Sequence, residues 1–267
     1  MQTRIDDVSV DELRATVEAL AVPRHHSADV NLRIGNHLAQ TLTDLGYHVE
    51  VRGQYRTVLA VTETARTQPA VLAGAHYDSV PGTPGADDNA SGVAVLLACA
   101  RRADRQKPLA FAAFNAEEDG ALGSREFVSD RTGIAAAHIL EMVGYTSDVQ
   151  RCPPNLPIRL PERGDFLGLL ANWPSRHLLP AVLQAASTYI PDLPVVSLTL
   201  PPLLDALPLM QRSDHDPFWK AGIAALLWTD TAEFRNPNYH QPGDTPHTLD
   251  YRFMRRVAQV LLAVLSA

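Results

Sequence analysis

The spacing of apolar residues along the chain predicts helices and strands in alternation. In several stretches apolar side chains recur three and four residues apart, which is the spacing of an amphipathic helix. These predicted helices are Asp11–Val22, Asp29–Leu45, Asn89–Ala103, Leu122–Asp130, Ser175–Tyr189, a short segment over Ser213–Gly222, and Leu249–Leu265.

Short apolar runs lie between these helices and predict strands. They are Tyr47–Arg52, Thr57–Thr62, Val71–Ala75, Pro108–Phe114, Ala136–Leu140, Phe166–Asn172, Val195–Leu200 and Ala224–Trp228, the first two forming a hairpin-like pair. Strands that alternate with helices are typical of an α/β fold. We therefore expect residues 1–267 to form a single domain, with a central mixed, largely parallel β-sheet and helices on both faces.

Polar side chains follow the predicted strands at their carboxyl ends. His76 and Asp78 follow one strand, Glu117 and Glu118 follow the next, and Glu141 follows a third. In open α/β sheets the functional site lies at this edge. Asp87 and Asp88, at the mouth of a helix, and Tyr239 and His240, in the last loop, complete the candidate set.

Composition limits what this edge can bind. The formal net charge of −7 and the pI near 5.8 argue against a nucleic-acid surface or a surface for anionic membranes. Only two cysteines occur, so a thiolate zinc cluster is excluded and any metal must be held by His and carboxylates. No signal-peptide core or apolar run of membrane-spanning length is present, which favours a cytoplasmic location.

The number of carboxylates is the strongest argument for a metal. Taken singly, His76 reads as a structural histidine, Asp87 and Asp88 as helix caps, and Glu117 and Glu118 as a solvated pair. Together, so many carboxylates cannot ionise close to one another unless cations are present. Imidazole and carboxylate ligands suit zinc, with manganese or cobalt as substitutes, and two metals about 3.5–4 Å apart require a bridging carboxylate.

Six short motifs carry a resemblance to a known family. GAHYDS at 74–79, GADDNASG at 85–92, AEEDGALGS at 116–124, LEMVGY at 140–145, SDHDPF at 213–218 and YHQPGDT at 239–245 resemble, in order, the motifs of the two-zinc aminopeptidases. These are the bacterial leucyl-type enzymes, which are related to glutamate carboxypeptidase and to the transferrin-receptor ectodomain. The match covers residues 74–251.

The resemblance implies a role for each of these residues. Asp88 would bridge two zinc ions, with His76 and Glu141 on one metal and Glu118 and His240 on the other. Glu117 would be the general base, Asp78 would orient the His76 ring, and Tyr239 would donate to the oxyanion. A cis peptide is expected at Asp88–Asn89.

The flanking acidic residues are expected to have supporting roles. Many family members have Asp at position 141, so Glu141 departs from the pattern and its longer arm has to reach the metal. We interpret Asp87 as a helix-cap or supporting group and expect Asp214 and His215 to fix their loop near the site. Asp230 and Asp244 are expected to support His240 from behind.

The implied activity is removal of the first residue from a peptide with a free N-terminus. The proline-interrupted loop at 201–210, with Phe218 and Trp219, would form an apolar pocket for Leu-like or aromatic residues. A glutaminyl cyclase on the same scaffold, a non-catalytic domain of the transferrin-receptor type, and carboxypeptidase or dipeptidase action stay open. The sequence leaves open the oligomeric state and the role of the loop at 146–165.

Overall fold

The computed structural model describes residues 2–130, 133–153 and 159–267, and eight strands in it form one sheet. The strand order is β1-β2-β4-β3-β5-β8-β6-β7. The strands are β1 (His48–Arg52), β2 (Thr57–Val61), β3 (Ala70–His76), β4 (Leu109–Phe114), β5 (Ile134–Glu141), β6 (Leu167–Asn172), β7 (Val195–Leu200) and β8 (Ala224–Thr229).

The centre of the sheet is parallel. β4, β3, β5 and β8 are neighbours that run in the same direction, so their carboxyl ends lie at one edge. β1 and β2 form the antiparallel pair that the sequence predicts, β2 joins β4 antiparallel, and β6 joins β8 antiparallel while pairing in parallel with β7. The predicted mixed, largely parallel sheet is confirmed.

Helices cover both faces of the sheet, as predicted. They are α1 (Gln2–Asp6), α2 (Val10–Leu20), α3 (Asp29–Asp44), α4 (Gly92–Arg102), α5 (Leu122–Ser129), α6 (Leu179–Tyr189), α7 (His215–Lys220) and α8 (Tyr251–Ser266). Alternate residues of β4 show the two faces: Phe111 and Ala113 pack in the larger apolar core with α2, α3, α4, α6 and α8, whereas Ala112 and Phe114 pack with α5 and α7.

The start of α4 differs from its prediction. Asp88 and Asn89 have non-helical backbone angles, so the helix begins at Gly92 rather than Asn89. Asn89 still caps it, because its Oδ1 accepts a hydrogen bond from the Gly92 N–H at 3.1 Å. Ser91 does not cap: its hydroxyl donates to the Asp87 carbonyl at 2.7 Å. A Cβ at Gly92 would lie 2.3 Å from Asn89 Oδ1, so the absence of a side chain at this position lets the Asn89 side chain cap the helix.

The short helix α1 was not predicted from the sequence. Its Ile5 side chain is completely buried in the larger core. Of the helices in the described ranges, none combines the length and apolar character needed to cross a bilayer.

Candidate metal centre

Three adjacent parallel strands bring the predicted residues to one edge. His76 is the last residue of β3 and Glu141 the last of β5, and Glu117 and Glu118 follow β4 after a short link. Because β4, β3 and β5 are neighbours, these side chains converge. Their meeting follows directly from the predicted parallel sheet.

Asp88 joins them from the turn before α4. The peptide between Asp88 and Asn89 is cis, as the resemblance implied. The Asn89 side chain fixes this turn against the end of β5, since its Nδ2 donates to the Leu140 carbonyl at 2.8 Å and its Oδ1 accepts from the Met142 N–H at 3.2 Å. The Asp88 carboxylate is thereby held beside the strand ends, where it is 4% exposed.

The two oxygens of Asp88 face two different imidazoles. Asp88 Oδ1 lies 3.2 Å from His76 Nε2, which is also 3.4 Å from Glu141 Oε1. Asp88 Oδ2 lies 3.1 Å from His240 Nε2, which is also 3.1 Å from Glu118 Oε2. We call these five residues the central cluster. It consists of two groups that share Asp88. In the first group, Asp88 lies with His76 and Glu141, and in the second it lies with His240 and Glu118.

The donor set of the central cluster fits divalent metal, and His76, Asp88 and Glu118 each offer a ligand atom within 4.8 Å of the others. Ligand atoms about 2.0–2.1 Å from a tetrahedral zinc ion lie about 3.3 Å apart, close to the separations of 3.1–3.4 Å between each histidine nitrogen and its carboxylate oxygens. Burial lowers the pKa of His76, but Glu141 and Glu117 outweigh it and raise that pKa well above its usual value. Hydrogen bonds with Asp88 and Glu118 likewise overcome burial and raise the pKa of His240 to about 10. The carboxylates thus attract positive charge, which a divalent cation supplies.

Glu118 and Glu141 are each held by a second contact. The Ser213 hydroxyl donates to Glu141 Oε2 at 2.6 Å, and the Val80 N–H donates to Glu118 Oε1 at 3.1 Å. Glutamate at 141 therefore keeps one oxygen near His76 while the other is fixed by Ser213. The longer side chain reaches the cluster from the last residue of β5.

Asp78 lies behind the central cluster, close to the His76 ring and to the backbone of Glu117 and Glu118. Its Oδ1 accepts from the Glu117 N–H at 3.2 Å and lies 3.4 Å from His76 Nδ1, while its Oδ2 accepts from the Glu118 N–H at 3.3 Å. The predicted proximity to His76 is present, but at 3.4 Å the two groups do not form a hydrogen bond, and His76 Nδ1 has no hydrogen-bond partner among the described residues. Asp78 also positions the backbone that carries both glutamates.

Glu117 lies against the cluster without belonging to either group. Its Oε2 is 3.9 Å from His76 Nε2. Burial raises the pKa of Glu117 well above the usual value; His76 opposes this rise, and the carboxylates of Glu141 and Asp214 add to it. A carboxyl group whose pKa is raised above its usual value can take up a proton and return it during a reaction.

Tyr239 packs on one ligand and contacts a cation that the sequence did not single out. Its ring stacks on His240 with 3.7 Å between centroids, and its hydroxyl accepts a hydrogen bond from Arg212 Nη2 at 2.8 Å. Arg212 also pairs with Glu233. Burial raises the pKa of Tyr239, so the phenol stays protonated and can donate its hydrogen. The position of Arg212, directly before the SDHDPF motif, is the sequence signal for it.

A layer of buried acids supports Asp88 from beneath. Asp244 accepts from the backbone N–H groups of Asp87 and Asp88 at 2.9 and 3.1 Å. Asp87 accepts from the Gly144 N–H at 2.9 Å and from Asn236 Nδ2 at 2.7 Å, and Asp230 accepts from the Tyr145 N–H at 2.9 Å. The expectation that Asp230 and Asp244 support His240 was wrong, because their contacts hold the backbone around Asp88 and the ends of loops. Asp87 is a supporting group and not a helix cap.

The motif at 213–218 fixes its own loop, as expected. The Ser124 hydroxyl donates to Asp214 Oδ1 at 2.5 Å, and His215 Nε2 lies 2.9 Å from the Met210 carbonyl oxygen. Burial raises the pKa of Asp214 to about 7.

Arg24 is a supporting residue that sequence reasoning missed. It is completely buried, and its guanidinium donates to the carbonyls of Leu20, Tyr77, Pro84 and Gly85. These hydrogen bonds fix the loop between β3 and the turn that carries Asp88. No local pattern marks this arginine, because its partners lie up to 61 residues away.

A cavity of about 180 Å³ opens onto the central cluster. Asp88, Glu117, Glu118, Glu141, Tyr239 and His240 line it together with apolar residues of β6, β7 and β8: Leu169, Leu170, Val196, Leu198 and Leu227. Of the loop at 201–210, Leu209 and Met210 contribute. Phe218 and Trp219 do not; Phe218 is instead fully buried against Phe114 and Phe127 in the smaller apolar core. Strands β6, β7 and β8 and the surrounding loops therefore share the apolar wall of this cavity, and the predicted loop supplies only Leu209 and Met210.

The loop at 146–165 contributes to the rim of this cavity. Pro153 and Leu160 are among the lining residues. Residues 154–158 of that loop lie outside the described part of the chain.

Relatives of known sequence support a family assignment. The model of peptidase family M28 matches residues 57–265. The uncharacterized protein YfbL of Escherichia coli (strain K12) is 32% identical over 96% of this chain and 88% of its own length. Aminopeptidase YwaD of Bacillus subtilis (strain 168) is also 32% identical, over 72% of this chain, but this chain covers only 40% of YwaD.

Solved structures show the same fold. LapA of Legionella pneumophila superposes with a TM-score of 0.79 at 20% identity, covering 99% of this chain and 74% of LapA. Glutaminyl cyclase of Porphyromonas gingivalis superposes with a TM-score of 0.73 at 20% identity, covering 97% and 98%. The zinc aminopeptidase BSAP of Bacillus subtilis reaches 0.59 at 26% identity, covering 78% and 48%. Given the family match over most of its length and the similarity to YfbL, this chain belongs to peptidase family M28.

Proposed function

We propose that this protein is a zinc-dependent aminopeptidase that removes the N-terminal residue of peptides at a two-metal centre. The observation that carries the proposal is the Asp88 carboxylate, whose two oxygens face two separate His and Glu pairs. Family membership and the names of YwaD and BSAP support the peptidase chemistry and zinc. Manganese or cobalt would be chemically acceptable substitutes.

The metal ligands would be divided between the two groups of the central cluster. His76 and Glu141 would hold one ion, Glu118 and His240 the other, and Asp88 would bridge them. Zinc bound there supplies a water with a pKa lowered toward about 7 and polarises a carbonyl group. The other steps depend on protein groups.

Glu117 is the proposed general base and then general acid. Its pKa is raised by burial, so the carboxylate can accept a proton from the attacking water and pass it to the leaving amine. Tyr239 keeps its phenolic proton and receives a hydrogen bond from Arg212, which makes that phenol a donor for the developing oxyanion. Asp78 fixes the backbone of Glu117 and thereby the position of the base.

The walls of the cavity favour a peptide N-terminus with an apolar side chain. Carboxylates of Glu117 and Glu141 line the cavity and complement an α-ammonium group, while Leu170, Val196 and Leu198 form an apolar surface. We therefore propose that the first residue is Leu-like or aromatic. Hydrolysis rates that are equal for Leu, Phe, Lys and Glu anilides would contradict this preference.

The test combines metal analysis with activity of a matched pair of variants. Wild type, Glu117→Gln and a control, Glu18→Gln on the exposed surface of α2, are loaded with zinc and assayed on leucine anilide. After gel filtration removes weakly bound metal, we expect two tightly bound zinc ions per chain in all three proteins, and a rate reduced about 10²–10⁴-fold in Glu117→Gln alone.

The rival functions give different results in the same experiment. A glutaminyl cyclase would release ammonia from a Gln-initiated peptide, detected by mass spectrometry, without removing a residue. A non-catalytic binding domain would leave the anilide and the peptide intact after zinc loading. Either result would overturn the aminopeptidase proposal.

A further inference from the structure

A second group of possible metal ligands lies at the surface beside the turn that carries the two glutamates. His25 Nε2 and His26 Nε2 lie 3.2 and 2.5 Å from the same oxygen of Asp119, Oδ2. The two imidazole rings are 4.5 Å apart between centroids. We call these three residues the peripheral cluster. It combines two nitrogens and one carboxylate oxygen, the ligand set typical of zinc sites that leave a position open to water.

We propose that the peripheral cluster binds a late first-row transition-metal ion such as Zn²⁺, separately from the central cluster. The ligand separations agree with this, since zinc ligands lie about 3.3 Å apart in a tetrahedral site. The His25 contact already has that length, and the His26 contact has to lengthen by less than about 1 Å. A water molecule would complete the coordination.

A hydrogen-bond acceptor is in place for the second nitrogen of His25. A histidine that binds metal through Nε2 carries its proton on Nδ1 and donates it to a nearby oxygen. His25 Nδ1 lies 2.8 Å from the Ser27 hydroxyl oxygen. The Ser27 N–H also lies 3.4 Å from Nδ1. With the hydroxyl oxygen as acceptor, the shorter contact would fix the tautomer and the ring orientation that metal binding through Nε2 requires.

Buried contacts position both parts of the peripheral cluster. The two histidines follow Arg24, which is completely buried and whose N–H donates to the Ser79 hydroxyl at 3.1 Å. Asp119 lies in a tight turn in which the Gly120 N–H donates to the Glu117 carbonyl at 2.8 Å. Buried Asn31 and Asn115 exchange side-chain hydrogen bonds of 2.9 and 3.1 Å, which connect α3 with the end of β4. The ligands are therefore preorganised.

The peripheral cluster is open to solvent, and its carboxylate is more exposed than the carboxylates of the central cluster. The side chains of His25, His26 and Asp119 are 19%, 27% and 45% exposed, compared with 6% for Glu118, which precedes Asp119. A metal ion in solution can reach the peripheral cluster directly. By joining residues 25–26 to the turn after Glu118, that ion would cross-link two loops at the rim of the central site.

The experiment counts metal ions and does not depend on peptidase activity. The experiment compares four proteins: wild type, His25→Gln, His26→Gln and a control, His177→Gln at an exposed position. Each protein is first saturated with zinc and passed through gel filtration, and it is then titrated with Zn²⁺ by calorimetry. We expect wild type and the control to bind one equivalent more than either cluster variant, or to bind it at least tenfold more tightly. This difference does not depend on how many ions the central cluster holds.

A spectroscopic measurement identifies the ligands. Cu²⁺ added to zinc-loaded wild type is expected to give an EPR spectrum with hyperfine splitting from two nitrogens, and His26→Gln to reduce this to one. Equal zinc stoichiometry and affinity in wild type and both variants would overturn the proposal. A copper spectrum without nitrogen coupling in wild type would overturn it as well.

Discussion

Replacing Asp78 by Asn changes the support of the metal centre while leaving its ligands in place. Two backbone groups donate to the two oxygens of this buried carboxylate, the Glu117 N–H at 3.2 Å and the Glu118 N–H at 3.3 Å, and His76 Nδ1 lies 3.4 Å away without forming a hydrogen bond. An amide of the same shape offers one oxygen and one NH₂ group. Its better orientation keeps the oxygen toward Glu117 and His76 and turns the NH₂ group toward the Glu118 N–H.

The magnitude follows from that single mismatch. A buried N–H without an acceptor costs about 1–3 kcal/mol, which we expect as a loss in the free energy of unfolding. Glu118 is a proposed metal ligand, and loss of a group that supports ligands typically weakens metal binding about 10–100-fold. We therefore predict that zinc affinity of Asp78→Asn falls by about that factor, with the fold retained.

Two measurements separate these effects. Competition with a chromogenic chelator gives zinc affinity, and urea unfolding of the zinc-free protein gives stability. Asp192→Asn is the control, because that carboxylate is 73% exposed and its contact with Arg256 is a surface ion pair at 3.7 Å. If a folded Asp78→Asn protein binds zinc within twofold of the control, Asp78 does not hold the ligands in place and the argument fails.

Three further predictions concern the residues around the site. Glu141→Asp shortens the side chain, so it should lose the Ser213 contact of 2.6 Å and lower zinc occupancy, measured by mass spectrometry, to about one ion; occupancy equal to wild type would contradict this. Arg24→Met leaves buried carbonyls without donors, so it should lower the free energy of unfolding, measured by urea titration, by about 3 kcal/mol or more. Burial raises the pKa of Asp230 to about 6 and of Asp244 to about 7, so the folded state binds these protons more tightly. Stability of metal-free protein should then be lost as pH rises from about 4 to 7, and a melting temperature that is constant or rises from pH 5 to 7 would refute this.

Much of the fold and the position of the candidate ligands could be predicted from local sequence patterns. His76 and Glu141 are the last residues of apolar strands, and β4 shows why such runs form strands between two helical layers: all its residues are buried, and they alternate between the two apolar cores. Once adjacent strands are parallel, the residues that follow them must meet at one edge. The ligand roles themselves stay predictions until metal binding is measured.

The supporting residues could not be predicted in the same way, because their partners are distant in sequence. Asp244 contacts the backbone of residues 87 and 88 across more than 150 positions, and Arg24 reaches carbonyls up to 61 residues away. Nothing in the pattern around either residue indicates which backbone groups lack partners. The same applies to the pocket wall: Leu170 and Val196 lie on neighbouring strands β6 and β7, and the register of that pairing places both on the face that lines the cavity.

The buried acids raise one question of energetics that the geometry answers. Asp87, Asp230 and Asp244 are buried close together, where burial raises each pKa and repulsion between charges adds to the cost. Each nevertheless accepts hydrogen bonds from backbone N–H groups or from a side-chain amide. These bonds fix the turn that presents Asp88. The three buried acids thus lower the stability of the metal-free fold but hold the Asp88 carboxylate in position. Divalent cations at the central cluster would reduce that cost, because positive charge nearby favours the ionised form of every acid in the layer.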